Sequence, residues 1–200
     1  MQKSYKSLAL LTIEEANAKM VSYFDSDFAG VTMLVLINSM RELRFSALMK
    51  VYEEGNRENG ADLYADEPIE RQLALAEEDF FCYLRQVFFP TSGARYAVWE
   101  AEGQYISALR LEPYQDGLLI EGLETTPAYR RRGYAVKLIN AVQSRFSATK
   151  LYSHVGKRNT ASLKTHERCG FRRIKKYAVY VDGSVNDRCC TLVYEPDFNE

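Results

Sequence analysis

The sequence predicts a mixed α/β chain of the α+β kind: a mostly antiparallel central sheet of about six to seven strands with flanking helices. Helical periodicity fills most of the first ninety residues, and three short β-rich segments then follow one another across tight turns. Only one later helix stands between two strands in the manner of a parallel crossover. At 200 residues, 46% hydrophobic and 26% charged, the chain has the composition of an ordinary globular protein. It is long enough for one sizeable core. A single domain over 1–200 is expected, with a strand and helices over 1–92 preceding a core over 93–196.

Ser7 to Thr12 reads as a first short strand. From Phe28 to about Glu58 the pattern is helical, with Leu34, Ile37, Met40, Leu43, Leu48 and Val51 at three- and four-residue steps. Gly55 to Asp66 reads as a polar loop. A second helix is expected from Asp66, an N-cap type followed by Glu67-Pro68, and it should stop at Pro90. Tyr96–Glu100, Tyr105–Glu112 and Leu118–Thr125 are aromatic or β-branched segments separated by "EGQ" and "PYQDG" turns, an antiparallel meander. A helix over Arg131–Ser147 presents Val136, Ile139, Val142 and Phe146 on one face. Then come a strand over Lys150–Val155 and a short helix over Thr160–Arg168, ended by Gly170 in a left-handed cap. Two strands, Arg173–Val181 and Arg188–Tyr194, joined around Asp182-Gly183, complete the expected sheet.

No apolar run approaches the roughly 20 residues of a membrane span, so a cytoplasmic location is expected. Cys82, Cys169, Cys189 and Cys190 have neither metal-ligand spacing nor the pattern of a disulfide framework, so no metal is expected. The net charge of −1 hides a strong asymmetry. Tyr52 to Phe80 holds ten acids against two arginines; Tyr129 to Lys176 holds fourteen basic residues against Glu167 alone. The second half should therefore meet something anionic.

The sharpest local feature is "TPAYRRRGYAVKLINAV", residues 126–142. Its three arginines stand where a strand turns into a helix. The first turn of a helix has unpaired N–H groups and partial positive charge. Gly133 lets an anion approach the backbone without meeting a Cβ, and arginine adds fork-shaped donors suited to phosphate. Arg130-x-x-Gly133-x-Ala135 after a strand has the makings of a pyrophosphate cradle.

The stretch "LLIEGLETTPAYRRRGYAVKLINAV" resembles the acetyl-CoA-binding motif of the GNAT family of N-acetyltransferases, Gln/Arg-x-x-Gly-x-Gly/Ala. "YSHVGKRNTASLKTHERCGF" resembles the family's next strand and helix, with Asn159, Gly170 and Phe171 at the matching positions. The resemblance covers roughly Tyr96 to Tyr194. It implies an acyl-CoA N-acyltransferase fold, acetyl-CoA as cosubstrate and an amine acceptor. It implies that Leu123 and Thr125 bind the pantetheine through main-chain groups. Arg130, Arg131, Arg132, Gly133, Tyr134 and Ala135 would hold the pyrophosphate, and Asn159 and Ser162 would touch the cofactor.

Transfer to an amine needs a base, because an ammonium is not a nucleophile, and donors for the oxyanion. It is also eased by an acid for the departing thiolate. Family members often place a tyrosine seven residues after the helix-leading Asn; here that residue is His166, either the acid or a packing histidine. His154, Glu121 and Glu124 are rival bases, beside a chain of waters. Alternation puts Glu121 on the face of Leu123 and Thr125, and a bulge would exchange it with Glu124. Asn159 serves equally as a helix cap.

Two other classes compete. A nucleic-acid-binding module would use the basic segment but wants aromatics interleaved with basic residues on an exposed strand, which are missing, so no nucleic acid is expected. A CoA-binding regulator without turnover keeps the cradle and loses the chemistry. The acidic Tyr52–Phe80 stretch would suit a cationic amine. Pairing of two copies through the C-terminal strands stays open.

Overall fold

The computed structural model describes residues 32–196. The expected strand at Ser7–Thr12 lies outside the described residues. The element order is β1 (Thr32–Ile37), α1 (Phe45–Leu63), α2 (Ile69–Tyr83), β2 (Arg95–Ala101), β3 (Gln104–Tyr114), β4 (Gly117–Thr125), α3 (Tyr134–Arg145), β5 (Lys150–Gly156), α4 (Thr160–Arg168), β6 (Arg172–Lys175), β7 (Ala178–Val179), β8 (Val185–Asn186) and β9 (Cys189–Tyr194). Seven strands form one sheet in the order β1-β2-β3-β4-β5-β9-β6, and β7 and β8 form a separate ribbon. Every neighbour in the large sheet is antiparallel except β4 and β5, which α3 joins as a parallel crossover. This is the mixed, mostly antiparallel sheet expected.

The sheet buries both faces. On one, α1 packs Phe45, Leu48, Val51 and Tyr52, with Phe80 and Phe81 of α2, against Tyr96, Val98 and Ala108. On the other, α3 packs Leu138, Ile139 and Val142, with Leu163 of α4, against Ala97, Leu109, Ile120 and Leu151. No helix among the described residues is long and apolar enough to cross a membrane.

The single helix expected over Phe28–Glu58 is a strand and a helix. In β1, Val35 and Ile37 pack toward α1 and α2 while Leu34 and Leu36 pack toward α3 and α4. A strand covered on both faces reads as a continuous apolar run, which periodicity cannot separate from a helix. The Glu42 carboxylate then accepts the Asn38 N–H at 2.9 Å and the Ser39 hydroxyl at 3.0 Å, holding a turn ahead of α1. The loop expected over Gly55–Asp66 is largely helix. Gly60 is there for packing: a Cβ would lie 2.5 Å from the Gln72 carbonyl of α2.

Asp66 is not the N-cap of α2; Pro68 directly precedes the helix and no side chain caps it. The helix passes into a π turn over Leu84–Phe88 before the expected stop at Pro90. The three meander strands stand where they are expected. The last two strands do not run straight: β6 pairs with β9 through a register shift between Arg173 and Lys175, and β7 leaves to pair with β8 around Asp182-Gly183. The Thr191 hydroxyl holds the departing backbone by donating to the Tyr177 carbonyl at 2.7 Å.

Candidate active site

The site begins with an irregularity in β4. Ala108 pairs with Glu124 and Arg110 with Glu121, so Leu109 alone faces Gly122 and Leu123. That is a β-bulge, with Gly122 at φ +56°. The extra residue changes which side chains share a face. Ala108 and Arg110 both look toward α1 and α2, so their partners Glu124 and Glu121 do too. The sequence leaves these two carboxylates as alternatives, and the bulge brings both to one side. Leu123 packs among the α3 and α4 residues, and the Thr125 hydroxyl lies 2.9 Å from Ser107 Oγ. The Tyr52 hydroxyl of α1 donates to the Gly122 carbonyl at 2.5 Å and pins the bulge.

Beyond the bulge, β4 loses its other neighbour. It pairs with β5 only from Gly117–Lys150 to Ile120–Ser153, although β4 runs on to Thr125 and β5 to Gly156. The strands splay, and the β5-facing edge of residues 121–125 is left without a strand partner among the described residues. An extended ligand can pair with such an edge as an added strand.

At the end of that edge stands the cradle. Arg131 at φ +60° and Gly133 at φ +82° are both left-handed, so α3 starts at Tyr134 and not at the expected Arg131. Intrahelical bonding opens with Lys137 N–H to the Gly133 carbonyl at 2.9 Å, which leaves the earlier N–H groups of the turn without an intrahelical partner. A Cβ at Gly133 would meet no atom of the described residues within 4 Å. Concave N–H groups at a helix N-terminus, with exposed Arg131 and Arg132 beside them, fit the pyrophosphate of a CoA-type cosubstrate. Arg132 lies over the Tyr129 ring at 5.4 Å, and Lys137 lies over Tyr134 at 4.9 Å.

Arg130, the first arginine of the run, turns the other way. Its Nε donates to the Thr125 carbonyl at 3.0 Å, and its guanidinium pairs with Glu54 of α1 and, at 3.6 Å, with Glu124. Its own N–H is bonded to the Pro127 carbonyl at 3.2 Å. Arg130 braces the loop from behind, linking the cradle to the carboxylate face.

The second block behaves as a capped helix. Asn159 Oδ1 accepts the Ser162 N–H at 3.0 Å. His166 is buried, 1% exposed, with its ring edge-to-face with Phe171. Its Nδ1 lies 2.8 Å from the Ser162 carbonyl, which only accepts, so Nδ1 carries a proton. Nε2 is buried without a hydrogen-bond partner among the described residues. Burial lowers the imidazole pKa, outweighing the backbone contact at Ser162. In the neutral ring Nε2 is bare.

His154 is not its neighbour. Leu151 and Val155 of β5 face α3 and α4, so His154 faces the opposite side. There it sits edge-on between Tyr114 and Tyr180, each 5.3 Å away. A cleft of about 740 Å³ at the end of β5 is lined by Gly156, Lys157, Arg158, Asn159, Arg188 and Cys189.

Glu121 and Glu124 are both partly buried, and desolvation raises both carboxyl pKa values, with Arg110 and Arg130 respectively opposing it. Three participants escaped sequence reasoning: Tyr52, Glu54 and Arg110. Only Arg110 left a signal, as a charge inside the otherwise apolar "ISALRL" of β3.

A bulged β4 splayed from a parallel β5, with an N–H cradle at the following helix, defines a CoA-dependent acyltransferase class of architecture. The sequence profile of the acetyltransferase (GNAT) family matches residues 48–171, more than half of the chain. This chain belongs to the GNAT acetyltransferase family. The match begins within α1, so the family pattern reaches well upstream of the meander.

Among solved structures, an N-acetyltransferase from Staphylococcus aureus Mu50 is similar at 17% identity and a TM-score of 0.57, covering 80% of this chain and 100% of its own. The PaiA N-acetyltransferase from Thermoplasma acidophilum, solved in complex with coenzyme A, is similar at 12% identity and a TM-score of 0.54. It covers 82% of this chain and 99% of its own. At these identities the likeness is one of fold. No curated protein sequence matches the chain.

Proposed function

We propose that this protein moves the acetyl group of acetyl-CoA to a primary amine by direct attack in a ternary complex. The observation that carries this reading is the end of β4–β5 pairing at Ile120–Ser153, next to the bulge. It leaves a free strand edge leading from the carboxylate face to the cradle. Acetyl-CoA, when bound, supplies the activated acyl carbon.

The N–H groups of the Arg131–Ala135 turn, with Arg131 and Arg132, hold its pyrophosphate, and the free edge at Leu123 and Thr125 pairs with its pantetheine. Glu121 is the general base: it takes a proton from the acceptor ammonium, and burial raises its pKa above the ordinary glutamate value against the pull of Arg110. The N–C bond then forms as the C–S bond breaks. A backbone N–H at the bulge faces the developing oxyanion, and water relays the second proton of the newly acylated nitrogen to the departing thiolate. We leave His166 outside this path, because its protonated Nδ1 is spent on the Ser162 carbonyl and burial disfavours the imidazolium that would arm Nε2.

The test is thiol release from acetyl-CoA against polyamines, aminoglycosides, peptides and amino acids. Release with at least one amine supports the reading. Acetyl-CoA binding with no release on any of them would overturn it in favour of a CoA-binding regulator.

A further inference from the structure

One charged group on the α1/α2 face takes no part in the reaction as derived. Arg110 stands in β3 among buried neighbours, its guanidinium over the rings of Tyr83 at 5.2 Å and Phe80 at 6.0 Å. Nη2 lies 3.6 Å from the Glu121 carboxylate, an ion pair longer than a hydrogen bond. Nε is buried and has no hydrogen-bond partner among the described residues. A guanidinium drawn out of water with a donor unspent is costly, and such exceptions call for an explanation. The carboxylate two residues along β3, Glu112, is already engaged by the Tyr83 hydroxyl at 3.3 Å.

The unspent edge has a direction. A Cβ on Gly122 would come within 3.6 Å of Nη2, 3.7 Å of Nε and 3.4 Å of the Tyr52 hydroxyl. Gly122 is exposed, and it lies just past the last β4–β5 pair at Ile120. The glycine thus keeps even a methyl group from covering Arg110 where β4 splays from β5.

We propose that Arg110 receives the carboxylate of the acceptor while Glu121 receives its amino group, so that the acceptor is a compact zwitterion with its acid group on the carbon next to the amine, as in an α-amino acid. This rests on the acetyl-transfer reading and narrows its acceptor. Opposite charges 3.6 Å apart match a ligand whose own two charges are adjacent. A polyamine or a lysine side chain brings no anion and would set an ammonium against the guanidinium. The planar fork of arginine suits a carboxylate, and the ligand oxygens supply the acceptor that Nε lacks. Tyr83 and Phe80 hold the fork in place meanwhile.

The experiment is calorimetry on the native protein without cosubstrate. It uses the common L-amino acids, then the amide and the decarboxylated amine of whichever binds best, with spermidine alongside. At least one amino acid should bind, and neutralising its carboxylate as the amide should cost about 10²-fold in affinity, the usual loss when a buried charge pair loses a partner. In Arg110→Met the acid and the amide should bind alike, and Arg110→Lys should recover part of the difference. No amino-acid binding, equal binding of acid and amide to the native protein, or stronger binding of spermidine would overturn the proposal. The native comparison needs no variant, so poor folding of Arg110→Met does not blunt it. Acetyl-CoA is titrated in parallel. If it fails to bind, the acetyl-transfer reading falls; if it binds and no amino acid does, only the Arg110 assignment falls.

Discussion

The Tyr52 hydroxyl and the Gly122 carbonyl meet at 2.5 Å, and that bond ties helix α1 to the bulge that sets the faces of β4. Tyr52→Phe removes the donor and leaves the partly buried carbonyl unmet. An unfolding free energy lower by about 1–3 kcal/mol is expected, read by urea denaturation. An unchanged midpoint would mean that sheet pairing alone holds the bulge.

Gly133→Val tests the cradle. No atom of the described residues lies within 4 Å of the new Cβ, so the cost to folding comes from the backbone at φ +82°, about 1–3 kcal/mol. Acetyl-CoA affinity should fall at least tenfold by calorimetry, because the side chain occupies the space the pyrophosphate enters. A folded Gly133→Val protein with native affinity would remove the turn from the cosubstrate site.

The two carboxylates separate by substitution. Glu121→Gln is expected to lower kcat about 10²-fold or more and to flatten the acid limb of the kcat/KM profile. That limb should lie above the ordinary glutamate value of 4.5, because burial raises the Glu121 pKa and the base works only when ionised. With Glu121 as the base, Glu124→Gln should stay within about tenfold of native. The reverse ranking would make Glu124 the base.

His166 gives a stability signal. Its folded pKa lies below the ordinary value of 6.5, so between the two the unfolded chain binds more protons. The stabilisation from the neutral ring is complete above pH 6.5 and is lost as pH falls toward the folded pKa. His154 is shifted in the same direction, so the comparison is between native protein and His166→Phe. Melting temperatures at pH 7 and pH 5 should converge more closely in the variant, and its turnover at pH 7.5 should remain within about tenfold of native. A 10²-fold loss of turnover with acetyl-CoA binding intact would return His166 to the role of acid.

The sequence by itself determined the elements whose evidence is local. The meander, the Thr160–Arg168 helix and the glycines at 133 and 170 depend on near neighbours in the chain, through turn residues, capping and left-handed backbone. The cradle was legible for the same reason: strand end, arginines, glycine and helix start are contiguous. Only tertiary structure decided what depends on pairing across the sheet. Whether Thr32–Ile37 is strand or helix turns on its two-sided burial between the core layers. That Glu121 and Glu124 share a face, while His154 and His166 do not, follows from a one-residue bulge and from strand parity. Arg110 could be read as a charge in an apolar strand. Its place between Tyr83, Glu121 and Gly122 exists only because residues distant in the chain are packed together, and no local pattern encodes the distance between them.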